Sequence, residues 1–202
     1  MTSSREAENN RAKAMIKTEH LQLVPHTPQQ LLALIENPDR YEALSGFVAG
    51  AGLREFFVSG DVSPVFLASL HSTEGADPWR FGFAVIEPVI KSVIGTAGFK
   101  GPPDSLGAVE IAYGIIPEFE GRGYATECAL ALVAYASANH MRMVRAHTLP
   151  APNASSRVLR KCGFGLVGEV TDPEDGLVWR WERSLLPRGW HDEDRTLFHG
   201  EA

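Results

Sequence analysis

The apolar positions change their rhythm part-way along the chain. Near the start, Leu31, Leu32, Leu34 and Ile35 recur at helical spacing, with Thr27 placed to cap, Pro28 at the first helical position and Asn37-Pro38 as a stop. A strand is expected just before it, at 20–23. A second, less regular helix is expected within 39–57, interrupted by Gly46, Gly50 and Gly52, and a third, short one at 62–70. The run His-Ser-Thr-Glu-Gly-Ala-Asp-Pro-Trp at 71–79 reads as turn. After it come β-branched and aromatic runs at 80–86, 92–99 and 108–115, which read as three consecutive strands of an antiparallel meander. An Ala-rich helix at about 123–139 follows, then a strand at 143–149, a short helix at 155–162, and a hairpin pairing 165–171 with 177–183 around Asp-Pro-Glu-Asp-Gly. These elements predict one α/β domain with a largely antiparallel sheet, spanning 19–185 between a mobile polar tail at 1–18 and a second polar tail at 186–202.

Composition narrows the class. The chain has 202 residues, 44% of them hydrophobic and 22% charged, so it can bury a core without metal or disulfide help. A net charge of −6 argues against a nucleic-acid partner. Two cysteines, Cys128 and Cys162, are too few for a disulfide framework and lack metal or redox spacing. No apolar run reaches the roughly 18 residues of a membrane span, and the first residues lack a secretory core, so a cytoplasmic protein is expected.

The chemistry concentrates between Val109 and Cys128. There a β-branched strand runs into a glycine-rich loop, Glu120-Gly121-Arg122-Gly123-Tyr124-Ala125-Thr126, and the loop opens a helix. Glycine permits a tight turn and close backbone approach, and the first helical amides lack acceptors, so this is a generic phosphate site. It is not a P-loop, because neither Gly121 nor Gly123 is followed by Gly-Lys-Ser/Thr chemistry. It is not a dinucleotide fingerprint either, because Thr126 stands where the third glycine belongs, which leaves a nicotinamide-dependent oxidoreductase without its motif. Glu110 is a lone carboxylate in an otherwise apolar strand. Burial there would raise its pKa toward the range useful to a general base.

The loop resembles the acetyl-CoA motif of the GNAT acetyltransferases, whose pattern is Gln/Arg-x-x-Gly-x-Gly/Ala. The segment Asn153-Ala-Ser-Ser-Arg-Val-Leu-Arg-Lys-Cys-Gly-Phe164 is similar to the motif that follows it in that family, and the nearest branch is the RimJ/RimL type, which acetylates protein N-termini among other amines. Glu120 departs from the pattern, so pyrophosphate contact would fall to backbone amides, with Arg122 as a side-chain helper. The second motif is one residue short, and the family serine falls on Ser155 by helix register or on Ser156 by counting from Asn153.

The resemblance implies a GNAT fold, a mixed and mostly antiparallel sheet of six to seven strands whose fourth and fifth strands splay apart. Acetyl-CoA would lie in that V as cosubstrate, with no metal. Its phosphates would meet residues 120–126, the pantetheine and thioester would meet Gly114, Ile115 and Ile116, and Asn153 would bond the pantetheine amide. Glu110 would take a proton from the amine, through a water, and Ser155 or Ser156 would return one to the departing thiolate. Both serines, like Asn153, also suit a helix cap. The implied activity is acetyl transfer to a primary amine, either a protein N-terminus or a small molecule, by direct attack in a ternary complex. The alternative is a non-catalytic acyl-CoA-binding regulator. Trp190 and Phe198 in the last segment suggest a homodimer contact.

Overall fold

The structure is a computed structural model and describes residues 14–58, 63–173 and 175–186. Its centre is a nine-stranded mixed sheet. In chain order the strands are β1 (Ile16–Lys17), β2 (Gln22–Pro25), β3 (Val48–Ala49), β4 (Phe83–Glu87), β5 (Ser92–Phe99), β6 (Ala108–Ile115), β7 (Met143–Thr148), β8 (Gly165–Asp172) and β9 (Gly176–Ser184). They lie side by side as β1-β2-β4-β5-β6-β7-β9-β8, and β3 pairs in parallel with the start of β5. Seven of them are the long strands the sequence predicts. The other two have two residues each, too few for any hydrophobic period, and one of them lies in the segment expected to be a mobile tail. Ile16 pairs with Leu23 and packs, with Met15, against the core. The expected dimer contacts Trp190 and Phe198 lie outside the described residues.

The helices are α1 (Pro28–Glu36), α2 (Tyr41–Ser45), α3 (Glu55–Val58), α4 (Pro64–Ser72), α5 (Pro78–Phe81), α6 (Tyr124–Ala138) and α7 (Ala154–Lys161). α1 begins as predicted. Thr27 accepts from the Gln30 amide, and Gln30 reaches back to the Thr27 amide in a capping box. The predicted strand at 80–86 starts later, at Phe83, because Asp77 caps the Trp79 amide and Pro78 opens the one-turn helix α5. The single helix expected in 39–57 is instead α2, β3 and α3, and Gly46 ends α2 in the left-handed conformation.

One feature of the sheet sets up the site. β6 runs antiparallel to β5 over five positions, but it meets β7 in parallel over only three, Ala108 with Met143, Val109 with Val144 and Glu110 with Arg145. Beyond Glu110 the two strands part. A short parallel contact followed by divergence leaves the edge of β6 at 111–115 without a ladder partner on that side, and the expected V is present. The V is held at its base by Arg145, which lies 2.7 Å from Asp104 in the turn before β6 and 3.1 Å from Glu182 on β9. The Trp181 indole N–H donates to Thr148 at 3.0 Å and ties β7 to β9. α6 crosses one face of the sheet on Cys128, Ala129, Leu132, Val133 and Ala136, all buried, and the small residues let it sit close to the strands.

Candidate active site

The glycine-rich loop folds as its sequence suggests, for a backbone reason. Gly121 and Gly123 have φ of +75° and +89°, and a Cβ at either would meet nothing within 4 Å. Their glycines are required by handedness, and the space around them is open to a ligand. Gly123 is the N-cap of α6 and has no side chain to cap with. The amides of Tyr124 and Ala125 are thereby left pointing out at the positive end of a 15-residue helix.

These amides face a groove of about 520 Å³ that runs from the loop to the open edge of β6. Of the predicted cofactor residues, Gly114, Ile115, Glu120, Gly121, Gly123, Tyr124, Ala125 and Thr126 line it. Three do not. Ile116 is fully buried in the core. Arg122 is engaged elsewhere, with its guanidinium 4.8 Å from the ring centroid of Phe119, itself a lining residue, and donating to the Glu118 carbonyl at 3.2 Å. Asn153 is spent on capping α7, its side-chain oxygen accepting from the Ser156 amide at 2.8 Å. The facing wall carries two cations that the sequence reading missed, Arg157 and Lys161, one turn apart on α7. Their i, i+4 spacing beside the second motif was the available signal.

The two serines separate cleanly. Ser156 is fully buried, accepts from the Asn153 amide at 2.9 Å and donates to the Asn153 carbonyl at 2.9 Å. It completes the cap and does not reach the groove. Ser155 is exposed and lines both the groove and a second, smaller cavity of about 120 Å³ in the mouth of the V.

That smaller cavity holds Glu110. The carboxylate is not in the apolar surroundings expected of it. Its Oε1 lies 3.3 Å from Lys100 Nζ and 3.2 Å from His147 Nδ1, and the side chain is 21% exposed. His147 Nδ1 is also 3.8 Å from Asp172 Oδ2, and Lys100 Nζ is 3.1 Å from Asp175 Oδ2. Burial works to lower the Lys100 pKa, but the charges of Glu110 and Asp175 outweigh it and the net shift is upward. Lys100 therefore stays a cation beside the carboxylate. Lys100 and His147 were missed because they come from the end of β5 and from β7, far apart in sequence, and meet only across the sheet. Tyr113 lines both the groove and this cavity, and burial raises its phenol well above its ordinary pKa. Burial also pushes the Cys128 thiol up to about 12, which leaves no thiolate for covalent chemistry there.

A third cavity, of about 330 Å³, opens on the other side of Gly114, between β5, β6 and the helical segment. Phe56 stands between it and the groove and lines both. The Phe56 ring lies where a Cβ on Gly114 would be, 2.8 Å from that position, so glycine at 114 is what lets the ring rest on the strand. All three cavities share Tyr113. Ala112 links the small cavity to the third, and Gly114 links the groove to it. Three spaces of different chemistry thus converge on residues 112–114, on the free stretch of β6.

The acetyltransferase (GNAT) domain profile matches residues 21–165. Comparison with curated protein sequences gives no significant match. Among solved structures, a GNAT-family acetyltransferase from Bacillus anthracis superposes with a TM-score of 0.59 at 18% identity, covering 85% of this chain and 98% of that one. A ribosomal-protein-S5-alanine acetyltransferase from Vibrio fischeri gives 0.56 at 15% identity, over 85% and 96% of the two chains. RimL, a ribosomal L7/L12 alpha-N-protein acetyltransferase in complex with coenzyme A, gives 0.56 at 15% identity, over 84% and 97%. At these identities the structural likeness concerns the fold. No helix among the described residues is long and apolar enough to cross a membrane.

Proposed function

The chain belongs to the GNAT acetyltransferase family, and from that premise we propose that it transfers acetyl from acetyl-CoA to a primary amine by direct attack, at residues 112–114 of β6. The convergence of the three cavities on that stretch carries the reading. A thioester arriving along the groove, an amine arriving from the other face and a proton acceptor in the mouth of the V can meet there.

Each residue then has a task. The exposed amides of Tyr124 and Ala125 receive the pyrophosphate, and the open space over Gly121 and Gly123 gives it room. Arg157 and Lys161 supply the positive charge that Glu120 lacks. The unpaired edge of β6 at Gly114 and Ile115 orients the pantetheine arm as an added strand would, and a backbone N–H there stabilises the oxygen that becomes negative on attack. Glu110 takes a proton from the acceptor ammonium, through a water, so that its nitrogen can attack the thioester carbonyl, with His147 Nδ1 at 3.2 Å and Lys100 Nζ at 3.3 Å beside the carboxylate. When the C–S bond breaks, Ser155, on the wall between groove and V, gives its hydroxyl proton to the departing sulfur and is reprotonated with the extra proton that the nitrogen sheds as the amide forms.

The test is release of CoA thiol from acetyl-CoA in the presence of a panel of amines, with a thermal melt alongside. Acetyl-CoA should raise the melting temperature where NAD and ATP do not, and at least one amine should drive thiol release above the rate of hydrolysis. Absence of both effects at millimolar acetyl-CoA would refute the reading.

A further inference from the structure

We propose that the acceptor is a primary amine carrying an aryl-sized apolar group, seated in the phenylalanine-lined cavity beside β6. The inference rests on the reading of β6 as the transfer centre and adds the chemical class of the second substrate. Five phenylalanines line this cavity, Phe56, Phe57, Phe66, Phe81 and Phe99, half of the ten in the chain. Phe56 is 41% exposed and Phe66 half-buried, so their rings are presented to the space and not sealed into the core. Such an aromatic lining with few polar groups is how a protein receives an apolar ligand.

The charges are divided between the two cavities in a way that selects among amines. The described lining of the aromatic cavity contains no Asp or Glu, and its one charged side chain is Arg80, 3.5 Å from Asp77. A diamine or polyamine would have to leave its distal ammonium there, beside a guanidinium and without a carboxylate. The carboxylates lie across Ala112, where Glu110 sits among Lys100 and His147 with Asp172 behind. Glu110, Ala112 and Gly114 alternate onto one face of β6, each about 7 Å from the next. A nitrogen that meets the thioester at Tyr113 and Gly114 therefore has its proton path leading past Ala112 toward Glu110 and its apolar substituent leading beneath Phe56 into the aromatic cavity. This geometry suits a free arylalkylamine and equally the N-terminus of a peptide whose first residue is aromatic.

The experiment measures kcat/KM by CoA thiol release from the full chain with saturating acetyl-CoA. The acceptors are 2-phenylethylamine, ethylamine, spermidine, and two short peptides differing only in a first residue of Phe or Ser. We expect the aryl-bearing acceptors to exceed their apolar-free counterparts at least tenfold. A Phe-initiated peptide ahead of phenylethylamine assigns the source to peptide N-termini, and the reverse assigns it to free amines. Equal or better use of ethylamine, spermidine and the Ser-initiated peptide overturns the proposal while leaving acetyl transfer intact. Transfer to no amine at all overturns both readings. Phe66→Ala should reduce the aryl preference at least fivefold with the acetyl-CoA thermal shift unchanged. Should that variant not fold, Ala112→Leu fills the same space from an exposed position, and an aryl preference that survives in the folded variant contradicts the proposal.

Discussion

The two walls of the proposed reaction centre are assembled differently. The cofactor wall is local. Residues 120–126 form one loop and helix start, and Ser155, Arg157 and Lys161 sit along one short helix, α7. The proposed acceptor wall is dispersed, with Phe56, Phe66, Phe81, Phe99 and Ala112 drawn from α3, α4, α5, β5 and β6. A pyrophosphate makes the same demands on every protein that binds it, and backbone amides at a helix start meet them with little side-chain help. An acceptor is recognised by shape and by side chains, and these can be supplied from any part of the fold. Binding and chemistry should therefore fail separately when each wall is altered.

The largest separation is expected at Glu110. Glu110→Gln keeps the shape and removes the proton acceptor, so kcat should fall about 10²–10⁴-fold near neutral pH, or roughly 3–5 kcal/mol of barrier, with acetyl-CoA affinity unchanged. A folded variant with near wild-type kcat would place the base elsewhere, and a rise in KM with kcat kept would make Glu110 an anchor for the ammonium.

On the other wall, Gly123→Val should weaken acetyl-CoA binding by tenfold or more. Both Gly123→Ala and Gly123→Val force a Cβ into a backbone with φ of +89°, at a stability cost of about 1–2 kcal/mol. Only Val adds a branched group over the exposed amides. Calorimetry on the pair isolates the ligand's share, and equal affinities in the two variants would mean the phosphates are held elsewhere.

The smallest effects distinguish the neighbouring serines. Ser156→Ala breaks half of the Asn153 capping box and should cost about 1 kcal/mol of stability in a denaturant melt, with kcat retained. Ser155→Ala should melt like the wild type and lose several-fold in kcat. The opposite assignment of the two effects would put the proton donor inside the cap.

The same difference between walls explains what could be read from the chain. The loop, the order β6-α6-β7-α7 and the capping of α1 were legible because their signals are local, in Gly121, Gly123, Asn153, Thr27 and Pro28. Glu110 was found as a carboxylate out of place, but its partners were not, because Lys100 and His147 reach it only across strand register. Arg122 was expected on the phosphate side because of its place in the motif. Its guanidinium instead stacks on the Phe119 ring and donates to the Glu118 carbonyl. The aromatic cavity had no sequence signature at all, since phenylalanines at helical or strand spacing look the same whether they fill a core or wait for a ligand.

A crystal structure of the protein with acetyl-CoA tests the convergence on β6 most directly. The account predicts the diphosphate within hydrogen-bonding distance of the Tyr124 and Ala125 amides, the pantetheine along the free edge of β6, and the acetyl carbon beside Tyr113 and Gly114 on the side that faces Glu110. Acetyl-CoA bound with its acyl group outside the V, or with its diphosphate away from residues 121–125, would contradict it.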